Sequence, residues 1–92
     1  MPDLLHEFWE NERREGGHFH PVTEENDRQQ PLINPNARLA FSLWASSWFE
    51  AMQLYQEQMG YGDFEPDPHS PNTYYTEEDA ARQQAYLARR KL

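Results

Sequence analysis

Apolar side chains recur at helical spacing in three segments of the chain, and this pattern predicts an all-α fold. The central segment, residues 35–59, has the strongest signals, because Asn34 is a good N-cap, Pro35 suits a first helical turn and Gly60 provides a stop. At 100° per residue, one face of this helix carries a band of large apolar side chains. They are Phe41, Trp44, Trp48, Met52 and Tyr55, with Phe49 on the flank.

Two shorter helices are predicted on either side of this central helix. Residues 2–15 form the first, with Gly16-Gly17 as its stop. Its apolar side carries Leu4, Leu5, Phe8 and Trp9. Residues 77–91 form the last helix, which begins after Thr76 and has acidic residues in its first turn and basic residues in its last.

The segments between these helices, residues 16–34 and 60–76, are predicted to be long irregular linkers. Pro21 and Pro31 interrupt any helix in the first, and three prolines favour extended geometry in the second. The chain has one Val and one Ile, which is few for a sheet. We therefore expect residues 1–92 to form a single small unit, in which a long amphipathic helix is flanked by short N- and C-terminal helices.

The charge of the chain excludes several classes of function. Sixteen acidic and eight basic residues give a net charge of −8, so no direct binding of nucleic acid is expected, because that requires clustered Lys and Arg. No cysteine is present for a disulfide or thiolate site. The longest uncharged stretch of the central helix, residues 39–49, is too short to span a membrane. We expect a cytoplasmic protein, or one incorporated into a particle assembled in the cytoplasm.

Candidate chemistry along the chain is sparse. His18 and His20 would share one side of an extended segment, but no second pair of residues has metal-ligand spacing, so no metal site is expected. The alternating acids at 63, 65 and 67 fail the EF-hand pattern, because the sixth and twelfth positions are Pro68 and Tyr74. We find no nucleophile motif or phosphate-binding loop. The prediction is a protein without a cofactor or catalytic site.

The remaining signal is the abundance of aromatic side chains, which are enriched where proteins bind each other. The sequence therefore predicts a non-enzymatic protein–protein interaction module, a small structural or accessory subunit of a viral particle or multisubunit complex. Its partner would be another protein or a second copy. The predicted partner-binding residues are Phe41, Trp44, Trp48, Phe49, Met52, Tyr55, Phe8 and Trp9. The alternatives are an acidic nucleic-acid mimic that inhibits a nucleic-acid-binding protein and a small regulatory subunit of an enzyme.

Overall fold

A computed structural model describes residues 1–90 and shows a three-stranded antiparallel sheet with three helices, so the all-α prediction is wrong. The order of strands in the sheet is β2-β1-β3. The elements in chain order are β1 Leu4–Glu10, β2 Gly17–Pro21, α1 Glu24–Ile33, β3 Arg38–Ala45, α2 Trp48–Met59 and α3 Glu77–Arg89. The predicted helix over residues 2–15 is therefore the first strand of a hairpin and its loop.

The Gly16-Gly17 pair closes this hairpin instead of ending a helix. The amide of Asn11 donates to the carbonyl of Gly16 at 2.8 Å, and Glu10 pairs with Gly17 in the β1–β2 register. A Cβ atom at Gly17 would lie only 2.0 Å from the carbonyl oxygen of Trp9, so the backbones approach too closely for any other residue.

The predicted helix over residues 35–59 divides into strand β3 and helix α2. β3 pairs with the central strand through Phe41 opposite Phe8, and a register shift follows between Phe8 and Trp9. The helix begins at Ser47, whose hydroxyl accepts from the amide of Glu50 at 3.1 Å. It ends, as predicted, at Gly60, which has a φ of 75°.

The predicted linker over residues 16–34 contains a strand and a helix. Thr23 caps α1 by accepting from the amide of Asn26 at 3.0 Å. Pro31 lies in the last turn of α1, so the backbone hydrogen bond that proline cannot donate is lost near the end of the helix. Asn34 is the C-cap of this helix, where its amide donates to the carbonyl of Gln30, and not the N-cap of a long central helix.

Helix α3 lies within the predicted range 77–91, of which Lys91 is outside the described residues. Its start is a capping box: the amide of Asp79 donates to the hydroxyl of Thr76 at 3.1 Å, and the amide of Thr76 donates to the carboxylate of Asp79 at 2.9 Å. No helix or strand occurs between α2 and α3 within the described chain, although Tyr74 forms an isolated bridge with Ser47.

One face of the sheet packs on α2 and forms an aromatic core. Phe8, which is almost fully buried, contacts Phe41 and Tyr55 with ring centroids 5.3 Å away in each case. Phe19 stacks on Tyr55 at 4.7 Å. Aromatic rings bury large areas, which allows a chain with little Val or Ile to form this core.

The amide side chain of Gln83 holds α3 against the end of the sheet. Its oxygen accepts from the amide of Leu5 at 2.8 Å, and its nitrogen donates to the carbonyls of Leu5 and Val22, each at 3.0 Å. Gln83 is buried. Its side chain supplies hydrogen bonds to backbone groups of Leu5 and Val22 that lie beyond the last residue pair of the β1–β2 ladder.

Candidate functional site

Strand β3 has one side that no other strand pairs with among residues 1–90. The backbone groups of Leu5 bond to Gln83 and Val22, on the β2 side of the central strand. Because hydrogen-bonding direction alternates along a strand, the neighbouring residues of β1 bond to β3 instead. The register then points the N–H and C=O groups of Ser42 and Trp44 away from the sheet. We call this unpaired side of β3 the β3 edge.

The side chains along the β3 edge expose apolar area. Trp44 is 48% exposed and Leu39 is 43% exposed. Trp44 pairs with Leu5 and Leu39 pairs with Trp9, so both lie on the sheet face opposite the aromatic core. An edge strand with free backbone groups and exposed large apolar side chains is a template for pairing with another chain.

The structure does not bring the eight predicted partner-binding residues together on one surface. Phe8, Phe41 and Tyr55 are part of the aromatic core, and Phe8 is out of reach of any partner. Trp48 lies over His6 and Phe19 and is 38% exposed. Phe49 packs on Phe64, and Met52 is half-buried in α2. Trp9 and Trp44 lie on the sheet face opposite the aromatic core.

A fully buried histidine, His6, lies between the sheet and α2. Its Nδ1 is 3.0 Å from the carbonyl of Leu4, which can only accept, so Nδ1 donates and Nε2 accepts from the hydroxyl of Tyr75 at 2.7 Å. The rings of Phe19 and Trp48 lie 5.6 and 6.1 Å from the imidazole. This geometry fixes one neutral tautomer.

Burial is also the main cause of the shifted pKa values of this pair. It lowers the pKa of His6 to about 4, against the opposing effect of the hydrogen bond to Leu4, and the nearby His20 adds a smaller lowering contribution. Burial, with Asp79 nearby, raises the pKa of Tyr75 to about 12. Both groups are neutral near pH 7 and His6 has no exposed surface, so the arrangement suits packing and not acid–base chemistry on a substrate.

The opposite face of the sheet contains a buried ion network. Arg90 donates two bonds to the carboxylate of Glu7, at 2.9 and 2.6 Å, and two to Asp27, at 2.7 and 3.0 Å. The side chains of Arg90 and Glu7 are 7% and 4% exposed. The bonds to Glu7 are the main cause that raises the pKa of Arg90. Trp9 and Tyr86 donate to the same carboxylates, which completes the network.

A groove of about 520 Å³ lies between α1, the adjacent sheet face and α3. We call it the α1 groove. Its apolar walls include Trp9, Pro31, Pro35 and Tyr86. Gln30, which is 8% exposed, also lines it, and the amide nitrogen of Gln30 is buried without a hydrogen-bond partner in the described chain. A volume in this range is typical of ligand sites.

Histidines and carboxylates do not assemble into a metal centre in the part of the chain that the structure describes, since no three of them cluster. His18 is exposed, and Nδ1 of His20 lies 3.2 Å from the carbonyl of Pro21. The two residues do alternate along β2 as an extended segment requires. Helices long and apolar enough to cross a membrane are also absent from residues 1–90.

Comparison with family models, with curated proteins and with solved structures finds no match to this chain. Its candidate sites must therefore be judged on their own geometry.

Sequence reasoning missed the buried polar residues that organise the molecule, namely His6, Glu7, Gln83 and Arg90. In a helix over residues 2–15, Glu7 would lie on the side opposite Leu4 and Phe8, whereas in the strand its carboxylate is buried and bonded to Arg90. One available signal was the order Ser47-x-x-Glu50, which resembles a helix start inside the predicted long helix. Nothing local marks Gln83 or Arg90, because their partners are distant in sequence.

Proposed function

We propose that this protein is a non-enzymatic protein–protein interaction module, a small accessory subunit of a larger assembly. The observation that supports the proposal most directly is the β3 edge, where free backbone groups coincide with the exposed side chains of Leu39 and Trp44. A partner strand that adds to this edge would gain main-chain hydrogen bonds and contact with these two side chains. The partner is another protein or a second copy of this chain.

The net charge of −8 supports a role for electrostatics in partner choice. A protein of this charge repels its own copies at long range and attracts basic surfaces, with the largest effect on the rate of association. The exposed aromatic side chain of Trp44 would then supply affinity at short range. This division predicts that binding weakens only modestly with added salt, whereas an acidic mimic of nucleic acid would lose affinity steeply.

The proposal is tested with the variants Trp44→Lys and Ser42→Pro. The first places a charge on the β3 edge, and the second removes an outward N–H group that a partner strand would use. Sedimentation at several protein concentrations measures self-association, and affinity capture from the source cells, followed by binding of the purified candidate, measures association with another protein. We expect both variants to lose the association that the wild type shows.

The matched control is Gln58→Lys, which makes the same change of charge on an exposed position of α2. This variant should associate as the wild type does. If Trp44→Lys and Ser42→Pro retain full association, or if the wild type remains a monomer and no captured protein binds it directly, the proposed function is wrong. A steep loss of binding with ionic strength in every variant would favour the nucleic-acid mimic instead.

A further inference from the structure

The β3 edge ends at a contact with the segment that leads into α3. This segment, residues 74–76, lies beside Ser46, the residue that follows β3, and we call it the strap. The amide of Tyr75 donates to the carbonyl of Ser46 at 2.9 Å, and the amide of Ser46 donates to the carboxylate of Glu50 at 2.6 Å. A partner strand that follows the β3 edge to its end therefore meets backbone groups that are already bonded within the chain.

The strap is tied to the core through one side chain. Tyr75 is the one residue of the strap that is not exposed, and its hydroxyl donates to Nε2 of His6 at 2.7 Å. Tyr74 forms the isolated bridge with Ser47, and the chain before it, residues 65–73, is exposed. Since no helix or strand of the described chain covers the strap from outside, its position depends on the bond between Tyr75 and His6.

The groups packed around His6 offer no counter-ion for a charged imidazole. β2 contributes His20, which is basic and opposes a second positive charge. β3 contributes Leu43 and α2 contributes Trp48, neither of which titrates. The strap contributes the hydroxyl of Tyr75, which is uncharged near pH 7.

The carboxylates of the neighbouring elements are bonded elsewhere. Glu7 accepts from Arg90 on the opposite face of the sheet. Glu50 and Asp79 accept from the backbone amides that precede α2 and α3. A buried charge without a partner is unfavourable, so a protonated His6 is stabilised by reaching water.

We propose that the strap is a pH-sensitive stop on the β3 edge, which opens when His6 takes up a proton from solvent. Nε2 then carries a hydrogen and no longer accepts from the hydroxyl of Tyr75. Release of Tyr75 brings water to the imidazolium and frees the carbonyl of Ser46, which adds one backbone acceptor for a partner strand. This regulation rests on the proposed function, whereas the opening itself is a property of the free chain.

The opening is tested by ¹H–¹⁵N amide exchange of the dilute protein at pH 7 and pH 4.5, expressed as protection relative to an unstructured chain at the same pH. The closed strap holds the pKa of His6 at about 4, and the open strap restores 6.5. Protection of the Tyr75 amide should then fall about 60-fold between the two pH values. At pH 4.5 it should remain below that of Phe8 in β1, which shows that the strap opens without unfolding of the sheet.

Three variants make the result specific to this contact. His6→Gln keeps an acceptor for the hydroxyl but does not titrate, so protection of Tyr75 should be the same at both pH values. Tyr75→Phe removes the hydroxyl and should lower protection at position 75 already at pH 7, a result that decides the question even where His6→Gln does not fold. Tyr74→Phe, at the exposed neighbouring position, is the control and should follow the wild type.

The proposal is overturned if protection of Tyr75 in the wild type does not change with pH, if it equals that of Phe8 at both pH values, or if Tyr75→Phe leaves it unaltered. Where the wild type associates through the β3 edge, Tyr75→Phe should tighten association at pH 7 about two- to tenfold, the effect of one further hydrogen bond, and an unchanged Kd would contradict the regulation. Trp44→Lys separates the two proposals, because it should lose association while the strap opens as in the wild type.

Discussion

His6 is a polar side chain at the centre of an aromatic core, and its burial makes the stability of the protein depend on pH. The folded state holds the imidazole neutral down to about pH 4, whereas the unfolded chain protonates it below its ordinary pKa of 6.5. The unfolded state therefore binds more protons between these values, and stability that is complete above pH 6.5 is lost as the pH falls. The expected loss from this residue is about 3 kcal/mol by pH 4.

This prediction is measured by denaturant unfolding of the wild type and of His6→Gln at pH 7 and at pH 4.5. The variant should be less stable at pH 7, because it loses the imidazole ring that bonds to the carbonyl of Leu4 and the hydroxyl of Tyr75. Its free energy of unfolding should fall less on acidification. His18→Gln, at an exposed position, should follow the wild type. Parallel acid profiles for the wild type and His6→Gln would contradict the assignment.

Arg90 and Arg89 are adjacent residues with very different surroundings, which permits a matched comparison. Replacing Arg90 by Met leaves the carboxylate of Glu7 buried without its partner, and we expect a loss of about 3–5 kcal/mol in the free energy of unfolding. Arg89→Met removes an exposed pair with Glu24 and should cost less than about 1 kcal/mol. Urea unfolding measures both values, and similar losses would show that the ion network is not buried in solution.

At the scale of elements, α3 contacts the sheet mainly through single long side chains. Gln83→Leu would leave the amide of Leu5 without an acceptor, and we expect a loss of about 1–3 kcal/mol. Amide exchange in α3 should accelerate at the same time. Gln84→Leu, one position along on the exposed side, is the control and should change neither quantity. Unchanged exchange in Gln83→Leu would mean that other contacts dock the helix.

Strand β1 could not be recognised from the sequence because both of its faces are covered. Alternation of apolar and polar residues marks a strand that has one face in solvent. In β1, however, Leu4 and Phe8 on the core face alternate with Leu5 and Trp9, which are half-buried on the opposite face. The same residues also satisfy helical spacing. The scarcity of Val and Ile then favoured the helix, although aromatic residues are also good strand formers.

Helix ends were predicted more successfully than sheet residues because their signals are local. Thr76 with Asp79 marks the start of α3, and Gly60 marks the end of α2. The exceptions are Gly16-Gly17, which closes a hairpin, and Asn34, whose side chain suits either end of a helix and which here ends α1. The α1 groove had no comparable signal, because Trp9, Gln30 and Tyr86 meet only through tertiary packing.

At the scale of the whole molecule, the sheet forms a middle layer, with the aromatic core under α2 and the ion network on the other face. The core is small, since only five hydrophobic residues are buried among those described. Hydrogen bonds from Gln83 to Leu5 and from Arg90 to Glu7 therefore contribute much of the contact between the C-terminal part of the chain and strand β1. Such a molecule is expected to be more sensitive to loss of a buried polar partner than to loss of one apolar contact.

The same organisation predicts where the free protein opens. Among residues 62–73 of the described chain, Ser70 alone donates its amide to a backbone carbonyl, while the amides of Phe64 and His69 donate to the side chains of Gln53 and Asp67 at 2.8 and 2.9 Å. We expect rapid hydrogen exchange throughout this segment except at these positions, and slow exchange at β1. Residues 17–33, which lie within the segment 16–34 that the sequence predicts to be a linker, should be protected by β2 and α1.

Exchange measured by mass spectrometry at low and high protein concentration, and with any confirmed partner, checks this expectation. Protection of residues 72 and 73 in the dilute monomer would contradict it, because no backbone bond in the described structure accounts for such protection. Protection that appears only on assembly would instead place this segment in an interface. Slowed exchange at Ser42 and Trp44 under the same conditions is the result that strand addition at the β3 edge requires, since their outward amides would then be bonded to the partner.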